Sequence, residues 1–93
     1  MTVYISPNPG KPMAYGISQR AAQILMAHGA KVLMQMNLRE ECNTMGVQFL
    51  PQKECLEKTD VILTIGGDGT ILHEANLSLE YHKPILGINL GRC

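Results

Sequence analysis

Residues 60–72 read DVILTIGGDGTIL. Four of the first six are aliphatic, and an unbroken apolar run of that length suits a strand covered on both faces, as in a parallel sheet. Gly66, Gly67 and Gly69 follow with Asp68 among them. From Thr70 to Leu79, Ile71, Leu72, Ala75 and Leu79 then recur on one helical face. Strand, glycine turn and helix in this order form the βα unit of an α/β domain. In such sheets ligands bind beyond the carboxyl ends of the strands, which is where this turn would lie.

The flanking sequence extends the pattern. Val3 to Ile5 is β-prone and stops at SPNPGKP, whose three prolines and glycine predict a loop. From about Tyr15, the residues Ile17, Ala21, Ile24, Leu25 and His28 keep helical spacing up to Gly29, a left-handed stop, which makes His28 the edge of a core face. AKVLMQM reads as a second strand and LREECNTMG as a short polar helix ending near Gly46. Between Val47 and Glu57 the pattern is ambiguous, with VQFLP extended and KECLEKT good for one helical turn. Pro84 precedes a last strand, ILGINL, expected to be buried. The order β-α-β-α-β-α-β predicts a three-layer, Rossmann-like α/β domain with a parallel sheet.

The totals agree with one packed domain. A chain of 93 residues with 45% hydrophobic and 17% charged residues lies far from the composition of disordered chains. Eight basic residues balance eight acidic ones without clustering, and aromatics are only 4%, so the footprint of a nucleic-acid binder is missing. Cys42, Cys55 and Cys93 match neither a zinc pattern nor a disulfide framework and read as reduced thiols. The histidines are too scattered for a metal site. Without a basic leader or an apolar stretch of about 18 residues, the sequence predicts a soluble, cytoplasmic protein with no membrane partner. The chain stops just after a turn signal, which suggests the front portion of something longer.

The glycine turn decides the chemistry. Gly66, Gly67 and Gly69 let a ligand approach main-chain N–H groups, and the helix N-terminus beyond them favours negative charge. It is not a Walker loop, because Thr70-Ile71 follows Gly69 where Lys-Ser/Thr would stand, nor a dinucleotide fingerprint, because position 72 is leucine. Asp68 therefore needs its own explanation. The helix terminus stabilises its carboxylate as an acceptor, and a carboxylate beside phosphates can orient an attacking hydroxyl or bind the accompanying metal. The alternative is that Asp68 only caps the helix that begins near Gly69 or Thr70.

GGDGTIL after an apolar strand, followed about fifteen residues later by PILGINLGR, closely resembles the amino-terminal domain of the NAD kinases. NPG after the first strand adds weaker support, whereas residues 38–59 contribute nothing specific. Lipid kinases of the diacylglycerol and sphingosine type, and more distantly phosphofructokinases, share the glycine-aspartate turn alone. The resemblance implies transfer of a phosphoryl group from ATP to the adenosine ribose 2′-hydroxyl of NAD, with Mg²⁺ or another divalent cation. It makes Asp68 the proton acceptor at that hydroxyl, Gly69 a backbone contact to the dinucleotide, and Gly66, Gly67 and Thr70 the rest of the phosphate-side turn. His73 stands where the family carries a basic residue, although an exposed helix position would explain it too. Asn89 and Gly91 fall in the turn bordering the nucleotide, or in a purely structural turn. Lys11 could reach ATP phosphates or be a solvated loop lysine. The resemblance further implies that residues 1–93 are the amino-terminal domain, that a β-rich carboxy-terminal domain is absent, and that the full-length protein is a homo-oligomer. Half an active site of this kind would have no appreciable turnover alone. A lipid or sugar kinase, or a non-catalytic nucleotide-binding module, remains the alternative.

Overall fold

The computed structural model describes residues 1–91. Five strands, β1 (Thr2–Pro7), β2 (Lys31–Gln35), β3 (Gln48–Leu50), β4 (Val61–Gly66) and β5 (Ile85–Asn89), alternate with helices α1 (Pro12–Ala27), α2 (Gln52–Lys58) and α3 (Asp68–Tyr81). All strands pair in parallel, in the order β3-β2-β1-β4-β5. The α/β reading holds, with one strand more than the four read from the sequence.

The extra strand comes from the segment the sequence left open. VQFLP supplies β3, and KECLEKT belongs to α2, a helix of seven residues. The polar helix expected over LREECNTMG does not form. Met36–Leu38 makes a single 3₁₀ turn, and further turns carry the chain to Gly46. This connection is held by side chains: Leu38 and Cys42 are buried, and the Arg39 guanidinium lies 5.6 Å from the centre of the Phe49 ring. The SPNPGKP loop is also shorter than expected, because Ser6 and Pro7 remain in β1 and Pro12 opens α1. Proline suits the first helical turn, where its missing N–H would have no intrahelical partner.

Strand alternation divides the core between two faces. Val3, Ile5, Val32, Met34, Leu63 and Ile65 form one cluster with Ala14 and Ala22 of α1. Tyr4, Leu33 and Ile62 form the other with Cys55 and Leu56 of α2, joined at its margin by Leu77 and Tyr81 of α3. The domain thus has three layers. In α1 the buried residues are Ala14, Ser18 and Ala22. Small side chains four apart let the helix lie close to the sheet, so Ile24 and His28 stay exposed and His28 is not the edge of a core face. In α3 the inward position is Glu74, whereas Leu72 and Leu79, expected inside, are 68% and 75% exposed.

Strand β5 is likewise not buried. It has one neighbour, β4, and α1 packs on β1, β2 and β4, leaving Leu86 and Ile88 in the open. On the other face, Gly87 makes room for Ile71, whose Cδ1 would lie 3.3 Å from an added Cβ.

Cys42 and Cys55 are free and buried, and burial pushes both thiols up to about 11. The phenol of Tyr4, wholly inside, is raised for the same reason. Unfolding lets these groups ionise at lower pH, so between about pH 9 and 11 the unfolded chain binds fewer protons and stability falls as pH rises. The urea midpoint should therefore drop between about pH 8.5 and 10.5, with the thiols resistant to alkylation until the chain opens. The thiol read at Cys93 lies outside the described residues.

Candidate functional site

The strand order creates the site. From β1 the chain builds outward through β2 and β3, then returns to place β4 on the other side of β1. Loops leaving β1 and β4 diverge there, and such a switch point opens a crevice beyond the carboxyl ends of the strands. Pairing of Pro7 with Ile65 brings the Asn8 loop beside the glycine turn. The Asn8 N–H donates to the Ile65 carbonyl at 2.8 Å, and the Gly10 N–H donates to the Tyr15 hydroxyl at 2.7 Å, tying the loop to β4 and α1.

Close packing holds the turn itself. A Cβ on Gly66 would lie 2.9 Å from Asn8 Cβ and 3.0 Å from Thr70 Cβ, so this position requires glycine for space. Gly67 is the N-cap of α3, which starts at Asp68, earlier than the sequence indicated. The first intrahelical bond joins the Ile71 N–H to the Gly67 carbonyl at 3.1 Å. The N–H groups of Asp68, Gly69 and Thr70 precede it and lie at the positive end of the helix.

Asp68 does not cap the helix, because no side chain makes a cap hydrogen bond there. Parallel pairing sets Asn89 of β5 opposite Gly66, and the Leu90 N–H donates to the Gly66 carbonyl at 2.9 Å. This register brings Asn89 Nδ2 to 2.7 Å from Asp68 Oδ1 as donor. Asn89 Oδ1 in turn accepts from the Gly91 N–H at 2.7 Å, with Gly91 at φ +79°, a conformation open to glycine. Asp68, Asn89 and Gly91 form one exposed group on the β5 side of the turn.

Gly69, Thr70 and His73 are on the other side. They line a cavity of about 320 Å³ with Ser6, Pro7, Asn8 and Pro9 from β1 and its loop, Gln35 at the end of β2, Asn37 and Leu38 after it, Gln52, and Glu74. His73 therefore faces a concavity, whereas Lys11 and Asp68 are not among the lining residues. The sequence reading overlooked Asn8 as a lining residue and Glu74 altogether. Glu74 is 5% exposed, accepts from Ser6 Oγ at 2.5 Å on Oε1, and has no partner on Oε2. Its signal was present as the position three and four residues after Ile71 and Thr70, on the face that packs against the sheet.

Fold and site define a Rossmann-like α/β domain whose crevice holds a glycine turn, a helix N-terminus and an exposed carboxylate. The sequence model of the ATP-NAD kinase N-terminal domain matches residues 3–93, and the chain belongs to that family. Similar curated proteins include the NAD kinase of Methanothermobacter thermautotrophicus, 40% identical over 84 residues covering 84% of this chain and 27% of that protein. The NAD kinase of Methanopyrus kandleri is 34% identical over 82 residues, covering 85% of this chain and 27% of its own length. That of Heliobacterium modesticaldum is 32% identical over 91 residues, covering 98% and 31%. The chain thus spans less than a third of these relatives. The crystal structure of yeast NADH kinase complexed with NADH superposes with a TM-score of 0.73 at 22% identity, covering 99% of this chain and 32% of that one, which bears on the fold.

Proposed function

We propose that residues 1–93 are the catalytic-turn domain of an NAD kinase, which in its intact form passes the γ-phosphoryl group of ATP to the 2′-hydroxyl of the adenosine ribose of NAD. The observation that carries this reading is the Asn89–Asp68 hydrogen bond on the β5 side of the glycine turn. Asn89 occupies Oδ1, so Oδ2 can accept the proton of an approaching alcohol. Asp68 would hold that hydroxyl in line with the phosphorus, take its proton as the new O–P bond forms, and let the old P–O bond leave with ADP.

The two sides of the turn divide the work. ATP lies on the cavity side with its phosphates over the N–H groups of Gly69 and Thr70 and His73 within reach, so that Gly69 serves the donor in place of the dinucleotide contact the resemblance implied, while NAD meets Asp68, Asn89 and Gly91 on the β5 side. Phosphoryl transfer of this kind is mostly positioning and charge neutralisation, which a rigid turn between two parallel strands supplies. Among the described residues no three His, Cys, Asp or Glu side chains gather as metal ligands. Mg²⁺ would enter with the ATP phosphates, where it would neutralise developing charge. A lipid or sugar kinase would share the turn. The family match over residues 3–93, which includes the PILGINLGR segment, favours NAD as acceptor. A β-rich second domain in the intact protein, a homo-oligomeric assembly and a cytoplasmic location belong to the same proposal. Among the described residues no helix is long and apolar enough to cross a membrane.

The test is a coupled assay on the intact protein with ATP and NAD, diacylglycerol or fructose 6-phosphate as acceptor. NADP formation is expected, and phosphorylation of either other acceptor without it would refute the reading. Replacing Asn89 by Ala should lower kcat about tenfold, the loss expected for one hydrogen bond to a charged group, with little change in the KM for ATP.

A further inference from the structure

A buried carboxylate should have both oxygens satisfied, since an unpaired one retains its desolvation cost. Among the described residues Glu74 has one partner, Ser6 Oγ, and its Oε2 is buried without another while the residue lines the cavity beside the glycine turn. Ser6 is itself 4% exposed on β1, so Glu74 is fixed to the sheet rather than free to turn into solvent. The surroundings are built in the same way. Gln35 and Gln52 donate to the Tyr4 hydroxyl at 3.1 and 3.5 Å, and both line the cavity, whose floor is therefore a positioned polar network.

The cavity is polarised along α3. Gly69 and Thr70 at its mouth offer the positive end of the helix, whereas Glu74, one turn further on, presents a carboxylate, and among the described residues no lysine or arginine lines the cavity. Phosphate is favoured at the first position and repelled at the second. A group at the second position must instead donate a hydrogen bond and carry no negative charge, as the N–H and O–H groups of a nucleotide's base and sugar do. About 320 Å³ lies at the small end of ligand cavities, enough for a base or sugar and too little for a whole dinucleotide.

Resting on the reading of the turn as a phosphate site, we propose that Glu74 is a specificity-determining residue of the phosphoryl-donor site, its Oε2 accepting a hydrogen bond from the uncharged nucleoside end of the donor nucleotide. The donating group is an exocyclic amine of the base or a hydroxyl of the sugar. Ser6 is the positioning residue that holds the carboxylate by its other oxygen. Inorganic polyphosphates, which have no nucleoside, use the turn without using Glu74.

The experiment compares ATP with two analogues on the intact protein: purine riboside triphosphate, which lacks the amine, and 2′,3′-dideoxy-ATP, which lacks the hydroxyls. Inorganic tripolyphosphate serves as competitive inhibitor. In the unaltered protein one analogue should show a KM at least tenfold above that of ATP with kcat within about threefold, and which one does so identifies the donating group. Glu74→Gln should raise the KM for ATP by a similar factor and abolish the discrimination, leaving the inhibition constant of tripolyphosphate within about twofold. Ser6→Ala should weaken the discrimination without abolishing it. Two analogues as good as ATP would overturn the proposal, whether or not the variants fold. Discrimination that survives in Glu74→Gln would also overturn it. Failure of tripolyphosphate to compete with ATP in the unaltered protein would instead refute the phosphate reading of the turn, a separate result.

Discussion

Asp68→Asn in the intact protein should reduce kcat by about 10²- to 10⁴-fold, the range that a positioned general base contributes. The change is nearly isosteric at an exposed position, so folding should be almost untouched, apart from a loss of roughly 0.3–1 kcal/mol as a charge leaves the positive end of α3. KM for both substrates should move little, because the amide keeps the size and most of the hydrogen bonding of the acid. Steady-state kinetics beside a thermal melt separate these effects. A variant retaining a third of normal turnover would remove Asp68 from the chemistry, whatever else the turn does.

Gly66→Val should damage fold and site together. Added carbons at this buried position would start 2.9 Å from Asn8 Cβ and 3.0 Å from Thr70, where one neighbour is on the β1 loop and the other on α3. Neither is the far end of a flexible side chain, so relief requires moving backbone. Overpacking of this kind costs up to about 3 kcal/mol. Against a total of roughly 5–14 kcal/mol for a domain of this length, that is a large fraction. Urea denaturation should show a lower midpoint, and ATP should no longer protect the intact protein against melting. An unchanged midpoint would mean that the β1 loop yields freely, and the close contact would then say nothing about the site.

The βα unit was legible because its signals agree: an aliphatic run, then glycines, then helical spacing, all within residues 60–79. Asp68, Gly69, Thr70 and His73 could be placed on the turn or the helix from that stretch alone. Their division into two sides could not, because it depends on strand register. Nothing local to Asn89 says that it pairs opposite Gly66, and that pairing is what delivers it to Asp68. The helical faces were misread for a related reason. In α3 the leucines at 72 and 79 suggested the buried stripe, yet the sheet receives Glu74, since Ser6 on β1 satisfies one carboxylate oxygen. In α1 the stripe is made of Ala14, Ser18 and Ala22, which apolar periodicity discounts because they are small or polar. The connection after β2 misled through composition. LREECNTMG has the polarity of a surface helix, but Leu38, Cys42 and Thr44 point inward, a pattern no regular helix provides at that spacing.

Strand β5 has a practical consequence for anyone preparing this 93-residue chain by itself. Its outer rim presents backbone groups that a like rim can match, and Leu86 and Ile88 add a greasy flank beside it. Concentrated stocks should scatter light and precipitate on shaking. Measurements on the bare chain then report colloidal behaviour as much as chemistry, and a lysine in place of Ile88 is the simplest way to keep it dispersed.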